Sequence, residues 1–182
     1  MKWAERIQPF FDAWREPSFI LAWHDHWVRW GTLLRVRTFG DEIPLNVEVI
    51  GDFPRGLKKE DPLGLELRFY FLKGEFFRDE AEYYRESKSH RAAESVIPCG
   101  TFSPTRDPAF IESATVLLSG TVLSARPFFV DGEKMYAIDL RLWENVLRVV
   151  SRDGYGELGV HEGNILSGHF GVSGNVRRRE ET

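Results

Sequence analysis

The chain has 182 residues, of which 42% are hydrophobic and 14% aromatic. This composition excludes an intrinsically disordered protein and favours one or two globular domains. Aspartate and glutamate (28) outnumber lysine and arginine (24), and the resulting net charge of −4 disfavours a dedicated binder of nucleic acid or anionic membranes. The single cysteine excludes an intramolecular disulfide framework and a cysteine-rich zinc site.

Hydropathy predicts the compartment of the protein. The N-terminal sequence has neither the apolar core nor the small-residue cleavage site of a signal peptide. No apolar run reaches the length of a membrane-spanning helix, and the nearest candidate, residues 19–36, is interrupted by histidine, aspartate and arginine. We therefore expect a cytoplasmic protein without a membrane partner.

Two N-terminal segments precede the first clear strand. Residues 1–15 are predicted to form an amphipathic helix, because Trp3, Ile7 and Trp14 share one helical face. Residues 19–27 fit two structures. The tryptophans at positions 23, 27 and 30 follow a helical period, whereas aromatic and β-branched residues favour strands. The sequence leaves both assignments open.

From Thr32 onward, the alternation of apolar and polar residues predicts a β-meander. The predicted strands are residues 32–39, 44–50 and 65–71, with a turn at 40–42 and a loop at 51–61. Residues 74–95 are highly charged and are interpreted as an exposed connector, in which 79–87 suit a short helix. Residues 96–110 contain three prolines and are predicted to be irregular.

The last seventy residues show the clearest β-pattern. A long strand is predicted over Ala114–Val130, with a bend at Gly120. Asp131-Gly132 predicts a type I′ hairpin turn, because this turn requires positive φ at both central residues. The later predicted strands are residues 136–142, 146–152 and 163–172, and the charged tail from Arg177 is predicted to fray.

Residues Val116–Val176 resemble an OB-type barrel. The bent strand, the Asp131-Gly132 hairpin, the meander after it and the final GNILSGHFGVSG carry the resemblance, and this last segment is similar to the closing strand of uncharacterised bacterial proteins. The resemblance implies a mainly β protein whose antiparallel meander closes into an OB-like barrel, preceded by an N-terminal helical segment. OB-folds bind oligonucleotides and oligosaccharides, but a fold alone does not define a function.

The two halves of the chain run in parallel and suggest a second, related β-half. Each contains a strand, a tight turn, a strand, a loop and a glycine-started strand, which would match Gly64 with Gly163 and Phe71 with Phe170. The alternative is that all antiparallel meanders produce such a pattern. We predict a helix and meander half over residues 1–93 and an OB-like barrel half over 94–182, or a single compact domain.

His24 and His26 form a candidate metal site. In a regular strand they point to the same face, as two imidazole ligands of one Zn²⁺ would require. A third ligand would come from His90, His161, Glu162 or His169. The alternative is a polar strand edge with hydrogen-bonded histidines.

A cluster of tryptophans and arginines forms a candidate ligand-binding surface. Aromatic faces beside cations can stack nucleic-acid bases or sugars. The candidate residues are Trp23, Trp27, Trp30, Arg29, Arg35 and Arg37. The alternative is that the tryptophans lie in the core and the arginines are solvated.

Catalytic patterns are weak. Cys99 has no base beside it in a recognisable motif, and His161-Glu162 fits an acid–base pair less well than an ordinary loop. No phosphate-binding, nucleophile-elbow or paired-carboxylate motif occurs. We therefore predict a non-enzymatic binding protein without a cofactor, whose partner is a protein or a second copy. The alternatives are nucleic-acid or oligosaccharide binding and a metal-assisted hydrolase using His24 and His26.

Overall fold

The computed structural model of the chain describes residues 18–28, 33–38, 43–52, 55–88, 90–101, 112–152 and 159–178. The helix predicted over 1–15 and the turn predicted at 40–42 lie outside these residues. Among the described residues, no helix is long and apolar enough to cross a membrane.

The described part of the chain is mainly β, with nine strands and one short helix. The strands are β1 (Ser18–Val28), β2 (Leu33–Thr38), β3 (Ile43–Val49), β4 (Pro62–Phe77), β5 (Ser95–Pro98), β6 (Thr115–Val130), β7 (Glu133–Leu142), β8 (Asn145–Arg152) and β9 (Ile165–Arg178). The helix, α1, spans Glu80–Glu86 between β4 and β5.

The segment that the sequence left open between helix and strand is β1. Its backbone is paired on both sides, since Ala22 lies opposite Thr38 of β2 and also opposite Leu63 of β4. Ala22 is 2% exposed. Tertiary pairing thus decides the conformation over the helical spacing of the tryptophans.

Five strands close into a barrel that contains β1, β2 and β3 of the N-terminal half. β1, β2, β3, β9 and β4 are neighbours in that order, and β4 pairs back onto β1. All pairings of this ring are antiparallel except that between β3 and β9, which places Glu48 opposite Ser173. The closing strand therefore comes from the far end of the chain.

A second ring of five strands follows the same plan, and it contains β6, β7, β8 and β9 of the segment that the sequence predicted to form an OB-like barrel. β6, β7, β8, β4 and β9 are neighbours in that order, and β9 pairs back onto β6. The parallel pairing is now between β8 and β4, with Phe69 opposite Val149. Each ring thus takes one strand from the other half of the chain, and β4 and β9 pair with each other along nearly their whole length. The predicted division at residues 93 and 94 remains a prediction.

The registers show which residues of the two halves correspond. β1 has a bulge between His24 and His26, and β6 has one between Val122 and Ser124. When the two bulges are aligned, Ser18 of β1 matches Val116 of β6. Their cross-strand partners, Leu67 and Phe170, then match each other. Phe170 therefore matches Leu67.

The sequence comparison had instead matched Phe170 with Phe71. These two residues are direct cross-strand neighbours, with ring centroids 5.2 Å apart in an edge-to-face arrangement. One hydrophobic core continues through both rings. Its fully buried members include Leu34, Leu65, Phe69, Leu118 and Leu140.

Two local predictions were confirmed, the hairpin turn at Asp131-Gly132 and the short helix within residues 79–87. Asp131 and Gly132 have φ values of 50° and 81°, as the type I′ turn requires. The side chain of Asp79 accepts a hydrogen bond from the backbone N–H of Glu82 at 2.8 Å and caps α1.

Three strand boundaries differ from the prediction. β4 continues to Phe77, so the first residues of the predicted connector belong to a strand. β5 begins at the end of the predicted connector and continues into the stretch predicted to be irregular, and β9 includes Arg177 of the tail predicted to fray. In each case pairing with a distant strand overrides the local sequence preference. β6 has a bulge between Val122 and Ser124, close to Gly120, where the sequence predicted a bend.

Candidate functional site

The predicted tryptophan and arginine surface is only partly described. Trp23 and Trp27 lie in β1 with their backbones opposite Arg37 and Leu34. For β1 the structure describes the backbone and the side chain of Ala22, and Arg29 and Trp30 lie outside the described residues. Arg35 and Arg37 are the two members of the predicted surface whose side chains can be placed.

Arg35 connects β2 to a distant part of the chain. Its Nε donates to Oδ1 of Asn46 at 2.9 Å, and its Nη2 donates to the carbonyl of Thr101 at 2.8 Å and to Oε2 of Glu112 at 2.7 Å. The Arg35 side chain is 14% exposed. The guanidinium group therefore stabilises the contact between β2 and the segments that flank residues 102–111.

Asn46 completes this network. Its Nδ2 donates to the carbonyls of Gly100, at 2.9 Å, and Ser113, at 3.2 Å, and the residue is 1% exposed. A Cβ atom on Gly100 would lie 1.9 Å from the Ser113 carbonyl oxygen, so only glycine permits this approach. The segments around Gly100 and Ser113 thus cover the outer face of β2 and β3.

Arg37 forms an ion pair with Glu60 on the surface of the first ring. Both described arginines of the predicted surface therefore face a carboxylate. Their charge is compensated within the protein, which weakens the case for phosphate or sugar binding at this face.

The metal prediction relied on regular alternation between His24 and His26. The bulge in β1 lies between these two residues, and a bulge interrupts the alternation of side chains along a strand. Across the described ranges, no group of three histidine, cysteine, aspartate or glutamate residues is placed to hold a metal ion. The histidine pair itself stays a prediction, because its side chains are not described.

The hairpin of β6 and β7 presents a surface that the sequence did not single out. Phe129 is 68% exposed near its turn and lies opposite Lys134. Pro127 lies opposite Tyr136, and the Lys134 Nζ stands 5.0 Å from the centroid of the Tyr136 ring. We call Pro127, Phe129, Lys134 and Tyr136 the hairpin tip surface.

The opposite face of the hairpin is anchored. Met135 is fully buried and packs in a small apolar cluster with Tyr70 of β4 and Val150 of β8, against which Phe128 also packs. Burial raises the pKa of the Tyr70 hydroxyl, so this group stays neutral under physiological conditions. Anchoring of one face holds the hairpin tip surface in a fixed orientation.

Two ion pairs lie on the anchored face of the hairpin, with Met135 and Phe128. Glu133 lies 3.7 Å from Arg152, and Arg126 lies 3.6 Å from Asp139. They therefore help to anchor that face, and Lys134 is the charged member of the hairpin tip surface.

A cavity of about 280 Å³ lies between the end of β4 and the loop before β9. It is lined by Phe76, Phe77, Arg78, Glu82, Gly159, His161 and Asn164. Asn164 fixes its wall, because its Oδ1 accepts from the backbone N–H of His161 at 2.8 Å and its Nδ2 donates to the Arg78 carbonyl at 3.0 Å. His161 of the predicted acid–base pair lines the cavity, whereas Glu162 does not.

Cys99 lacks the environment of a reactive thiol. The residue is partly buried, and burial raises the pKa of its thiol above the ordinary value. Because the thiolate is the nucleophilic form, Cys99 is expected to react more slowly with a thiol reagent at pH 7 than free cysteine does, and faster as the pH rises towards its pKa. Reaction rates in native and denaturing buffer measure this, and a native rate above that of free cysteine would contradict it.

The sequence was also compared with known proteins. No protein-family model matches the chain, and no curated protein matches it. The described fold and surfaces therefore carry the functional argument.

Proposed function

We propose that the chain is a non-enzymatic, cytoplasmic binding protein that associates with a second copy of itself through the hairpin tip surface. The exposure of Phe129, at 68%, is the observation that carries this proposal. Aromatic side chains, phenylalanine included, are enriched at the centres of protein interfaces, and a few anchor residues carry most of the binding energy there.

Charge distribution supports a second copy as the partner. In a two-fold symmetric interface, the same patch of both copies forms the contact. If residue i of one copy contacts residue j of the other, residue j of the first copy contacts residue i of the second, so the surface must be complementary to itself. The hairpin tip surface has an apolar centre with the Lys134 cation beside it, and the Asp131 carboxylate lies in the adjoining turn. Rotation by 180° can bring these opposite charges together.

Side chains, rather than a continued sheet, form the proposed contact. Among the described strands, β6 pairs only with β7 beyond the bulge, so its other edge is unpaired there. Pro127 has no N–H to donate, and proline on an edge strand prevents another strand from adding. Phe129 and its neighbours on the same face are therefore the contact residues.

Sedimentation velocity over a range of concentrations tests the proposal. Wild type is expected to shift from monomer to dimer as concentration rises, and Phe129→Asp is expected to remain monomeric because a carboxylate would be buried at the contact. Leu72→Asp, at a 48% exposed position in the bulge of β4, is the matched control and should dimerise like wild type. A wild-type protein that stays monomeric, or equal loss in both variants, would contradict the proposal.

The alternative functions have less support. Oligonucleotide or oligosaccharide binding would use a face on which Arg35 and Arg37 already pair with Glu112 and Glu60. A metal-assisted hydrolase would need a third ligand beside His24 and His26. We therefore place self-association first.

A further inference from the structure

Three serines form a row across the outer face of the second ring. Ser95 of β5 lies opposite Ser119 of β6, which lies opposite Ser167 of β9, and the row continues on β4 to the exposed Glu75 opposite Ser167. Cross-strand partners project to the same side of a sheet, and the neighbouring Leu118 and Leu166 belong to the core on the other side. Ser119 and Ser167 are 0% and 7% exposed.

The hydroxyl groups of this row satisfy one another only in part. The Oγ atoms of Ser119 and Ser167 are 2.7 Å apart, and Arg91 donates from Nη2 to Ser167 at 3.0 Å. Only one of the two serine protons can lie between the two oxygens, so the other needs an acceptor elsewhere. The buried Oγ of Ser95 has no hydrogen-bond partner among the described residues.

Cationic side chains lie in the next row of the same face. His169 of β9 is the cross-strand partner of both Leu117 in β6 and Lys73 in β4. Partial burial lowers the pKa of the His169 imidazole, and the charges of Lys73 and Arg91 lower it further. Both charged groups that act on His169 are thus positive.

We propose that Arg91, Ser95, Ser119 and Ser167 form a binding site for a small oxyanion, with Lys73 and His169 at its rim. We call these six residues the serine-row site. Buried hydroxyl protons without an acceptor are costly, and an oxyanion offers only acceptors, so it matches a site that offers donors and positive charge. Phosphate and carboxylate groups share this chemistry.

Titration with inorganic phosphate tests the site through the NMR signal of the His169 imidazole. Bound phosphate should raise the pKa of His169, because a nearby negative charge favours the imidazolium form. Arg91→Gln should abolish the shift. Ser119→Ala should weaken phosphate binding about tenfold, as expected for the loss of one hydrogen bond to a charged group. Ser95→Ala should also weaken phosphate binding. Because Ser95 and Ser119 lie in different strands, misfolding of one variant leaves the other as a test.

Arg177→Gln is the matched control. It removes the same charge from a 73% exposed side chain of β9 that pairs with Glu66, and phosphate should raise the His169 pKa in it as in wild type. A parallel titration with acetate identifies whether carboxylates also bind. Either anion acting on wild type but not on Arg91→Gln supports the site.

Two results would overturn the proposal. The first is that neither anion changes the His169 titration in wild type, as expected if an ordered water molecule accepts the serine protons. The second is an equal loss of the phosphate-induced pKa shift in Arg177→Gln and Arg91→Gln, which would show a general effect of charge. Because the hairpin tip surface is separate, the titration can be repeated in Phe129→Asp, and its outcome is independent of self-association.

Discussion

Gly74→Ala is expected to lower the free energy of unfolding by about 3 kcal/mol, the upper end of the usual cost of overpacking. Gly74 lies in β4 opposite Gly168 of β9. A Cβ atom on Gly74 would stand 2.2 Å from the Ser167 carbonyl oxygen and 2.6 Å from the Gly168 Cα. These are backbone atoms, so the two strands that the rings share would have to separate. Equilibrium unfolding in urea measures the change.

Gly132→Ala is the control for this prediction. Gly132 has a backbone conformation that favours glycine, with φ of 81°, but no atom lies within 4 Å of its added Cβ. The expected cost is therefore about 1 kcal/mol, from backbone conformation alone. If Gly74→Ala were no more destabilising than Gly132→Ala, the close approach of β4 and β9 would be incorrect.

Asn46→Leu is expected to destabilise the protein by about 3 kcal/mol, because it leaves buried polar groups without partners. The Asn46 amide donates to the Gly100 and Ser113 carbonyls and accepts from Arg35. Leucine has a similar volume and supplies none of these bonds. Thermal or denaturant unfolding of the variant measures the loss.

Asn175→Leu provides the comparison for this substitution. Asn175 makes a long 3.5 Å hydrogen bond with Glu66 and is only partly buried, so its replacement should cost less than about 1 kcal/mol. Similar losses at both positions would show that the Asn46 network does not hold the segments around Gly100 and Ser113 to β2 and β3.

The sequence predicted those parts of the fold whose causes are local. Alternation identified β2, β3, β7 and β8, the Asp131-Gly132 pair identified the hairpin, and Asp79 marked the start of α1. The assignment of β1 was not local, since β1 is fixed by pairing with β2 and β4 together.

The exchange of strands between the rings could not be predicted from local patterns. The register of β4 with β9 joins Leu67 to Gly174, far apart in the chain, and periodicity carries no information about such partners. The internal pattern did indicate two related halves. Matching by glycine positions gave the wrong register, because Gly163 lies in the turn before β9 whereas Gly64 lies within β4.

The candidate surfaces depended on distant contacts in the same way. Arg35 was considered a ligand-binding cation, but its carboxylate partner, Glu112, is 77 residues away in the chain. The hairpin tip surface had one local signal, the apolar run Pro127–Val130 directly before an Asp-Gly turn. Which side of that run is buried depends on Tyr70 and Val150, which belong to other strands.

Native-state hydrogen exchange most directly tests the claim that the two rings share β4 and β9. Strands that unfold only with the whole molecule exchange at the free energy of global unfolding. We predict that the slowest amides of β3, in the first ring, and of β8, in the second, exchange at the same free energy as those of β4 and β9. Two separate free energies, one for each half of the chain, would contradict the shared-strand architecture.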